Sequence, residues 1–515
     1  MRSEQLVRFP FRSLGASRVR RRVVVVGAGP VGLTLAIDLR LKGLDVTLVD
    51  EDDTVSTGSR AICWAKRSLE IFDRLGVAGP IVQRGVTWNV GRIFLRDRQV
   101  YEFNLQAESG HAFPAFVNLQ QYHVEEALVR RAEAVGVELL WKHRVAGLDL
   151  REAPTLAIEA PEGTCTIEAE WLLACDGARS QIRRLMGLNF KGQMFDDRFL
   201  IADVRMSADF PTERWFWFDP PFHPGGSALL HRQADDIWRI DLQLGPDADP
   251  VEERKPERVI PRLRAMLGPE RPFELDWVSV YTFHCRRLER FRHGRVIFLG
   301  DAAHTVSPFG ARGGNSGVQD ADNLAWKLQA VLAGRVPEGL LDSYDAERGP
   351  AADENILNST RSTDFITPRT GASRRLRAAA LSLAGDHPFA RSLINSGRLS
   401  VPAIYRDSPL NTADVDAFSG RACPGAAAPD APHGDGWLLP RLGGADFTLL
   451  GFGADVEASV PSVAAPVSGL AAERYDATAG TAYLIRPDRH IAARWRHPTS
   501  EGVAAALARA RGASK

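Results

Sequence analysis

Cysteine is scarce. The five in 515 residues (Cys63, Cys165, Cys175, Cys285 and Cys423) form no C-x-x-C pair and no zinc-ligand spacing. That argues against thiol–disulfide chemistry and a structural metal, and suits a reducing cytoplasm. The 12 histidines show no H-E-x-x-H or similar cluster, so no metal site is expected. Net charge is also missing: 64 basic and 64 acidic residues cancel, leaving no global field to draw in nucleic acid or an anionic membrane. No apolar run is long enough to cross a bilayer. Lysine stands at only seven positions, so basic character here means arginine. The arginine-rich residues 1–22 lack the apolar stretch of a secretory signal, and a disordered lead-in over 1–21 is the expectation.

What is present is an ordinary globular composition, 44% hydrophobic and 25% charged, in a chain long enough for two or three domains. The most informative stretch is 296–328. A short apolar run ends at Leu299 and is followed by Gly300 and Asp301. A loop with Gly310, Gly313 and Gly314 then opens a helix whose Ala321, Leu324, Ala325, Leu328, Val331 and Leu332 fall on one stripe, with Gly334 as its C-cap. Asn315 and Ser316 are placed to cap its start. A glycine-lined helix start offers free N–H groups to an anion lying close to the main chain, and Asp301 can accept from sugar-like hydroxyls.

The matching half lies near the N-terminus. A valine-rich strand over 22–27 runs into Gly27, Gly29 and Gly32 of a G-x-G-x-x-G turn, then a helix closed by Gly43, then a strand ending at Asp50. This is the whole βαβ setting of dinucleotide binding, with a carboxylate placed for ribose hydroxyls. Arg60 is a natural counter-charge for a pyrophosphate. Helices are predicted over 64–75 and 121–132, and strands over 137–140, 157–168 and 171–174, the last meeting Asp176, Gly177, Ser180 and Arg183. Residues 86–116 and 185–285 read as strand-rich, with an aromatic patch at 215–218. Alternation over 237–244 puts Trp238, Ile240, Leu242 and Leu244 on one face and Arg239, Asp241 and Gln243 on the other. Helices are predicted over 340–348 and 374–383, a Pro/Gly/Ala-rich linker over 419–436, and a small α/β module beyond it.

These motifs together resemble the single-component FAD-dependent aromatic hydroxylases, the group of p-hydroxybenzoate, phenol and 3-(3-hydroxyphenyl)propionate hydroxylases. The resemblance rests on Gly27-x-Gly29-x-x-Gly32 with Asp50, on Asp176-Gly177 with Ser180 and Arg183, and on Gly300-Asp301 with His304, Pro308, Gly310, Gly313 and Asn315. It implies an α/β fold: a Rossmann-like FAD-binding domain (22–85, 119–184 and 286–395) with an interleaved β-rich substrate domain (86–118 and 185–285). A linker and a small thioredoxin-like C-terminal domain without redox cysteines would occupy 396–515. It implies that Gly27, Gly29, Pro30, Val31 and Gly32 hold the FAD pyrophosphate and Asp50 the adenosine ribose, with Glu51 and Val145 as further cofactor-binding residues. Arg60 and Gln121 would contact the pyrophosphate–ribityl region, Gly300 and Asp301 the ribityl chain, and Pro308, Gly313, Gly314 and Asn315 the flavin. Asp176 and Arg183 would serve flavin and nicotinamide alike.

By the same resemblance, NADPH or NADH docks transiently and reduces the flavin. O2 adds at C4a, and the hydroperoxide passes one oxygen to a phenolic ring. Polar candidates for positioning or deprotonating that ring are His223, Arg239, Gln243, Tyr281 and His284, with Pro308 in the flavin loop. The residues leave open a homodimer and three other readings. One is a halogenase of the same fold, through Trp215-x-Trp217-x-x-Pro220. Another is an oxidase or epoxidase acting on a polyketide or non-aromatic substrate, and the third a flavin-bearing sensor or scaffold.

Overall fold

A computed structural model describes residues 6–58, 60–394 and 399–513. Residues 1–5 of the expected basic tail and the expected domain boundary at 395/396 lie outside them. Among the described residues no helix is long and apolar enough to cross a membrane.

The first of two eight-stranded sheets has a parallel core in the order Val296–Phe298, Gly163–Ala174, Arg18–Val26, Val46–Val49, Glu138–Leu140. Val23, Val24 and Val25 are fully buried, as β-branched residues in a strand covered on both faces should be. Helix Pro30–Leu41 packs between Gln121–Val135 and Gly313–Leu332. Three local expectations are corrected here. The first strand begins at Arg18, and Arg18–Arg21 pair with Thr166–Ala169. The lead-in from residue 6 is packed, with Phe9 stacked on Trp141 at 4.5 Å and Phe11 on His143 at 5.2 Å; its aromatics anchor it where the arginines suggested disorder. Trp64 belongs to a short strand, Cys63–Ala65, and the helix starts at Lys66.

The second sheet runs His304–Thr305, Glu274–Arg287, Lys191–Arg205, Ile237–Gly245, Ser227–Arg232, Arg214–Phe218, Val90–Leu95, Arg98–Asn104. Its far face is covered by helix Pro256–Leu267, which buries Val259, Leu263 and Leu267 at helical spacing and was not predicted. The two sheets are joined where Val296–Phe298 leaves the first and His304–Thr305 enters the second, with Gly300 and Asp301 in the turn between.

The central helix Gly313–Leu332 begins two residues before Asn315, and it is not amphipathic in the sense expected. Every residue from Asn315 to Leu328 is buried, including Gln319, Asp320, Asp322, Asn323 and Lys327. The covering elements are the long helix Asp342–Ile366 and the C-terminal lobe. In that lobe Thr448–Phe452 pairs in parallel with Ser462–Ala464 and antiparallel with Thr481–Ile485, which pairs with Ile491–Trp495. The expected linker over 419–436 is packed as well: Ala422, Ala428 and Ala431 are core residues of the lobe. Small side chains that read as linker composition instead allow close packing.

Candidate active site

Two helices begin side by side, each without a side-chain cap. Gly29 is the N-cap of Pro30–Leu41 and Arg312 that of Gly313–Leu332. Both ends therefore offer unpaired N–H groups and the positive end of a peptide dipole array. They are close: a first side-chain carbon at Gly300 would lie 2.9 Å from Val31 Cγ2, and one at Gly317 2.5 Å from the same atom. Within the G-x-G-x-x-G turn the glycines divide by role. Gly32 packs so tightly that an added carbon would sit 2.0 Å from the Gly27 carbonyl oxygen, whereas one at Gly29 would meet nothing within 4 Å. Gly29 is thus the point where a bulky anion can reach the backbone.

Polar groups gather around these starts. Asp50 accepts from the Ala28 amide at 2.5 Å and the Asp52 amide at 2.9 Å, and burial nevertheless pushes its carboxyl up to about 6. Asp176 accepts from the Ile182 amide at 3.0 Å, but its buried Oδ1 has no partner. Asp301 is reached by solvent, yet enough protein surrounds it to raise its carboxyl, against the pull of His304, Arg60 and Arg183. A carbon at Gly313 would lie 3.8 Å from Asp301 Oδ1, so this carboxylate sits beside the helix start. Arg183 donates to the carbonyls of Ala302 (3.1 Å) and Ala178 (2.7 Å), tying the Asp176 turn to the Asp301 turn.

The second sheet presents its near face to this region, and its register lays the face out in rows. One row reads Arg214, His231, Arg239, Asp203, Trp277. The next reads Phe216, Leu229, Asp241, Ile201, Ser279. Phe218, Phe199 and Tyr281 follow on the same face. Cys63 Sγ, from the first domain, lies 3.6 Å from His231 Nδ1. Phe309, from the loop before the central helix, packs on Phe199 (4.8 Å) and Phe283 (5.2 Å). Between them lies a cavity lined by Ile93, Phe103, Arg214, Phe216, Phe218 and Phe309, closed by Ser362, Ile366 and Ile394.

Residues 20–359 match the family described as FAD binding domain. The chain is 30% identical to a flavin-dependent monooxygenase of Mycobacteroides abscessus, over 91% of this chain and 96% of the relative. It is 33% identical to 6-methylpretetramide 4-monooxygenase of Streptomyces rimosus (78% and 72%) and 30% identical to 3-(3-hydroxy-phenyl)propionate/3-hydroxycinnamic acid hydroxylase of Mycolicibacterium gilvum (82% and 71%). The chain is a member of the FAD-dependent aromatic hydroxylase family. Its fold is that of the flavin-dependent monooxygenase PieE, solved in complex with FAD and substrate: TM-score 0.80 at 22% identity, covering 96% of this chain and 100% of that one. The hydroxylase cofactor is FAD, and the cradle fits it, with two uncapped helix starts, an open approach at Gly29 and an orphaned buried oxygen on Asp176.

The structure gathers Gly27, Gly29, Pro30, Val31, Gly32, Asp50, Asp176, Gly300, Asp301, Gly313 and Gly314 around the cradle. Arg60, on the surface, is near enough to act on Asp301. Other expected cofactor residues have different surroundings. Glu51 is exposed and lines an outer depression with Lys142 and Arg144, and Val145 is a core side chain. Gln121 accepts from the Ala61 amide at 3.0 Å and donates to Ser56 Oγ at 3.1 Å and to Glu125 at 2.8 Å, so it props Ser56 and Ala61. The Asn315 side chain bonds to the Ala65 amide, Ser68, and the carbonyls of Cys63 and Ala311. It fastens the helix start and leaves only its backbone for a ligand.

Among the polar candidates, Arg239, Gln243 and Tyr281 are on the near face. Arg239 is already paired with Asp203 at 2.7 Å, and Gln243 accepts from Ser227 at 3.1 Å. His284 alternates with Tyr281 and Phe283 and so turns to the far face. His223 is held by the Gln243 carbonyl at 2.6 Å and feels Arg262 of the far-face helix. Pro308 is exposed, and its carbonyl accepts from the amides of Gly310 and Ala311. The aromatic patch is split: Phe216 and Phe218 line the cavity, while Trp215 and Trp217 pack on the far side. Neither Arg214 nor Asp241 is among the expected candidates: Asp241 shares the face that alternation over 237–244 assigns to Arg239 and Gln243, and Arg214 shares that of Phe216 and Phe218. Asp320 and Arg348 gave no sequence signal. Asp320 accepts from the Gly300 amide (2.9 Å), His304 (2.7 Å) and Arg348 (2.5 Å), and so holds the Asp301 turn from behind.

Proposed function

We propose that this hydroxylase uses NAD(P)H and O2 to place one oxygen on an electron-rich phenolic ring lying between the central helix start and the near face of the second sheet. The observation that carries this reading is the composition of that face: an aromatic wall broken by a few polar groups, opposite the cradle that fits FAD. Reduced by the nicotinamide, bound FAD supplies the oxygen-activating chemistry. Val31 and Gly32 offer amides to its pyrophosphate, Asp50 accepts from the adenosine ribose, and Asp301 accepts from the ribityl chain. The amides of Gly313, Gly314 and Asn315 would stabilise charge at the flavin's pyrimidine edge. Phe216, Phe218 and Phe309 keep water from the ring. One dinucleotide turn is spent on FAD, so the nicotinamide docks from outside, with Asp176 near its path.

Both simple phenolic acids and polyketide phenols belong to the substrate range, since relatives named for each match at similar identity. A halogenase reading is disfavoured because Trp215 and Trp217 face away from the cavity. The strand order of the C-terminal lobe supports a thioredoxin-like reading in which the usual first crossover helix is replaced by the loop between Phe452 and Ser462.

The test is a screen of phenolic acids and polyketide phenols for accelerated NAD(P)H oxidation, with product mass read after supplying labelled O2. A product heavier by one labelled oxygen is expected. Oxidation that yields only peroxide with every phenol would refute the proposal.

A further inference from the structure

Arg214 and Asp241 stand apart from the other charges of the second sheet. They lie on the near face, on strands separated by Ser227–Arg232, and one row apart in register. Arg239 and Asp203 satisfy each other through two hydrogen bonds of 2.8 and 2.7 Å. Arg214 Nε and Asp241 Oδ1 are buried and have no hydrogen-bond partner. Arg214 reaches into the aromatic cavity, where the rest of the lining is apolar apart from Ser362. Burial drives its guanidinium below the ordinary range, and it pushes the Asp241 carboxyl up to about 6 against the pull of Arg239 and Arg214.

A buried guanidinium and a buried carboxylate, each with an open valence, are costly unless something pairs with them. Neighbouring groups offer no substitute: the thiol of Cys63 is pushed up to about 12 by burial, and His231, on the strand between them, is driven toward its neutral form. The charged and titratable groups facing Asp241 are therefore Arg239 on its own strand, Asp203 beside it, and Arg214 two strands away, with His231 and Cys63 behind Arg214.

Resting on the function proposed above, we propose that Arg214 and Asp241 jointly receive the hydroxyl of the substrate ring: Asp241 takes its proton, and Arg214 holds the resulting phenolate oxygen. The O–H bond of the phenol breaks as an O–H bond to Asp241 forms, with no change in redox state, and the proton is later released to solvent. The phenolate is the more electron-rich ring, which is what oxygen transfer requires. A carboxylate titrating near 6 is matched to the task at neutral pH. Arg214 alone would select any acid; the pair selects an ionisable hydroxyl.

The experiment uses the FAD-loaded protein and 4-nitrophenol, whose phenolate is coloured, at a pH where the free probe is mostly protonated. The wild type is expected to show the phenolate band in the difference spectrum, fading as pH falls through about 6. Asp241→Asn should bind the probe without the band. Arg214→Met should weaken binding at least tenfold, and Arg214→Lys should restore part of it. Binding of the neutral form by the wild type, no binding, or a band that survives in both Asp241→Asn and Arg214→Met overturns the pairing while leaving the flavin assignment intact. Should a variant fail to hold FAD, the wild-type titration decides alone. A wild-type chain that takes up no FAD would instead refute the function.

Discussion

The molecule treats buried charge in two opposite ways. Along the seam between the central helix, the long helix behind it and the C-terminal lobe, charges are matched. Glu347 pairs with Lys327 (2.6 Å) and Arg486, Arg486 also with Asp488, Asp322 with Arg67 and Arg74, and Asp320 with Arg348. In the cleft opposite, Asp176 Oδ1, Asp241 Oδ1 and Arg214 Nε are buried and have no partner. The lesson is that burial of a charge does not by itself mark a site. A charge paired through its other atoms holds elements in register even where one nitrogen, such as Arg67 Nε, has no partner, whereas Arg214 and Asp241 stand open to a ligand. The two regions meet at Asp320, whose carboxylate faces the seam through Arg348 and the cleft through the Gly300 amide. Tyr405 extends that link to the lobe, accepting from Arg348 at 3.0 Å while stacking on His490.

The largest effect is expected where the seam is broken. Glu347→Leu leaves Lys327 and Arg486 buried without their shared carboxylate, and should cost about 3–5 kcal/mol in denaturant unfolding. A change under about 1 kcal/mol would place the seam's stability elsewhere, in the apolar packing of Trp326, Leu449 and Trp495. In the cleft the opposite outcome is expected. Gly29→Val meets open space, so the apoprotein should unfold at the same denaturant concentration, while FAD affinity falls at least tenfold, or about 1.4 kcal/mol. Loss of stability without loss of affinity would mean that Gly29 is a packing residue like Gly32.

Acid distinguishes the regions by sign. Glu347, held below the ordinary range by Arg486 and Lys327 despite its burial, contributes stability that is present above 4.5 and lost as pH falls toward its folded value. Asp50 and Asp241, raised to about 6, bind protons more tightly in the folded chain. Their contribution therefore grows as pH drops from about 6 toward the usual carboxylate range. Unfolding free energy against pH for Glu347→Gln and Asp241→Asn, each relative to wild type, should show slopes of opposite sign in these two windows. The smallest effect is expected at an exposed cap remote from both: Thr499→Ala, which removes the acceptor for the Gly502 amide, should cost about 1 kcal/mol and leave FAD binding unchanged.

Much of the cleft was legible in the chain because backbone-level requirements leave local marks. Glycines at Gly27, Gly29 and Gly32, a carboxylate at the end of the second strand, and a Gly-Asp pair after an apolar run are each short-range patterns. Side-chain alternation within 237–244 correctly sorted Arg239, Asp241 and Gln243 from Trp238, Ile240 and Leu242. The same rule applied along Glu274–Arg287 turns His284 away from the cleft, and along Arg214–Phe218 it separates Trp215 and Trp217 from Phe216 and Phe218. The seam was invisible for a different reason. Asp320, Asp322 and Lys327 look like the solvated side of an amphipathic helix until Arg348 closes on Asp320, Glu347 on Lys327, and Arg67, 255 residues away, on Asp322. Pairing at that distance has no periodicity to read. The alanine-rich stretch before the lobe misled in the same way, since small residues suit a linker and a tight interface equally.

The central claim is that the two uncapped helix starts and the orphaned Asp176 oxygen form one cradle for a single FAD. Flavin absorbance measured against chain concentration, after reconstitution and removal of unbound cofactor, tests it most directly. One FAD per wild-type chain and a markedly lower ratio for Gly29→Val are predicted. A wild-type chain that stays colourless, or a Gly29→Val chain that keeps its full complement, would contradict it.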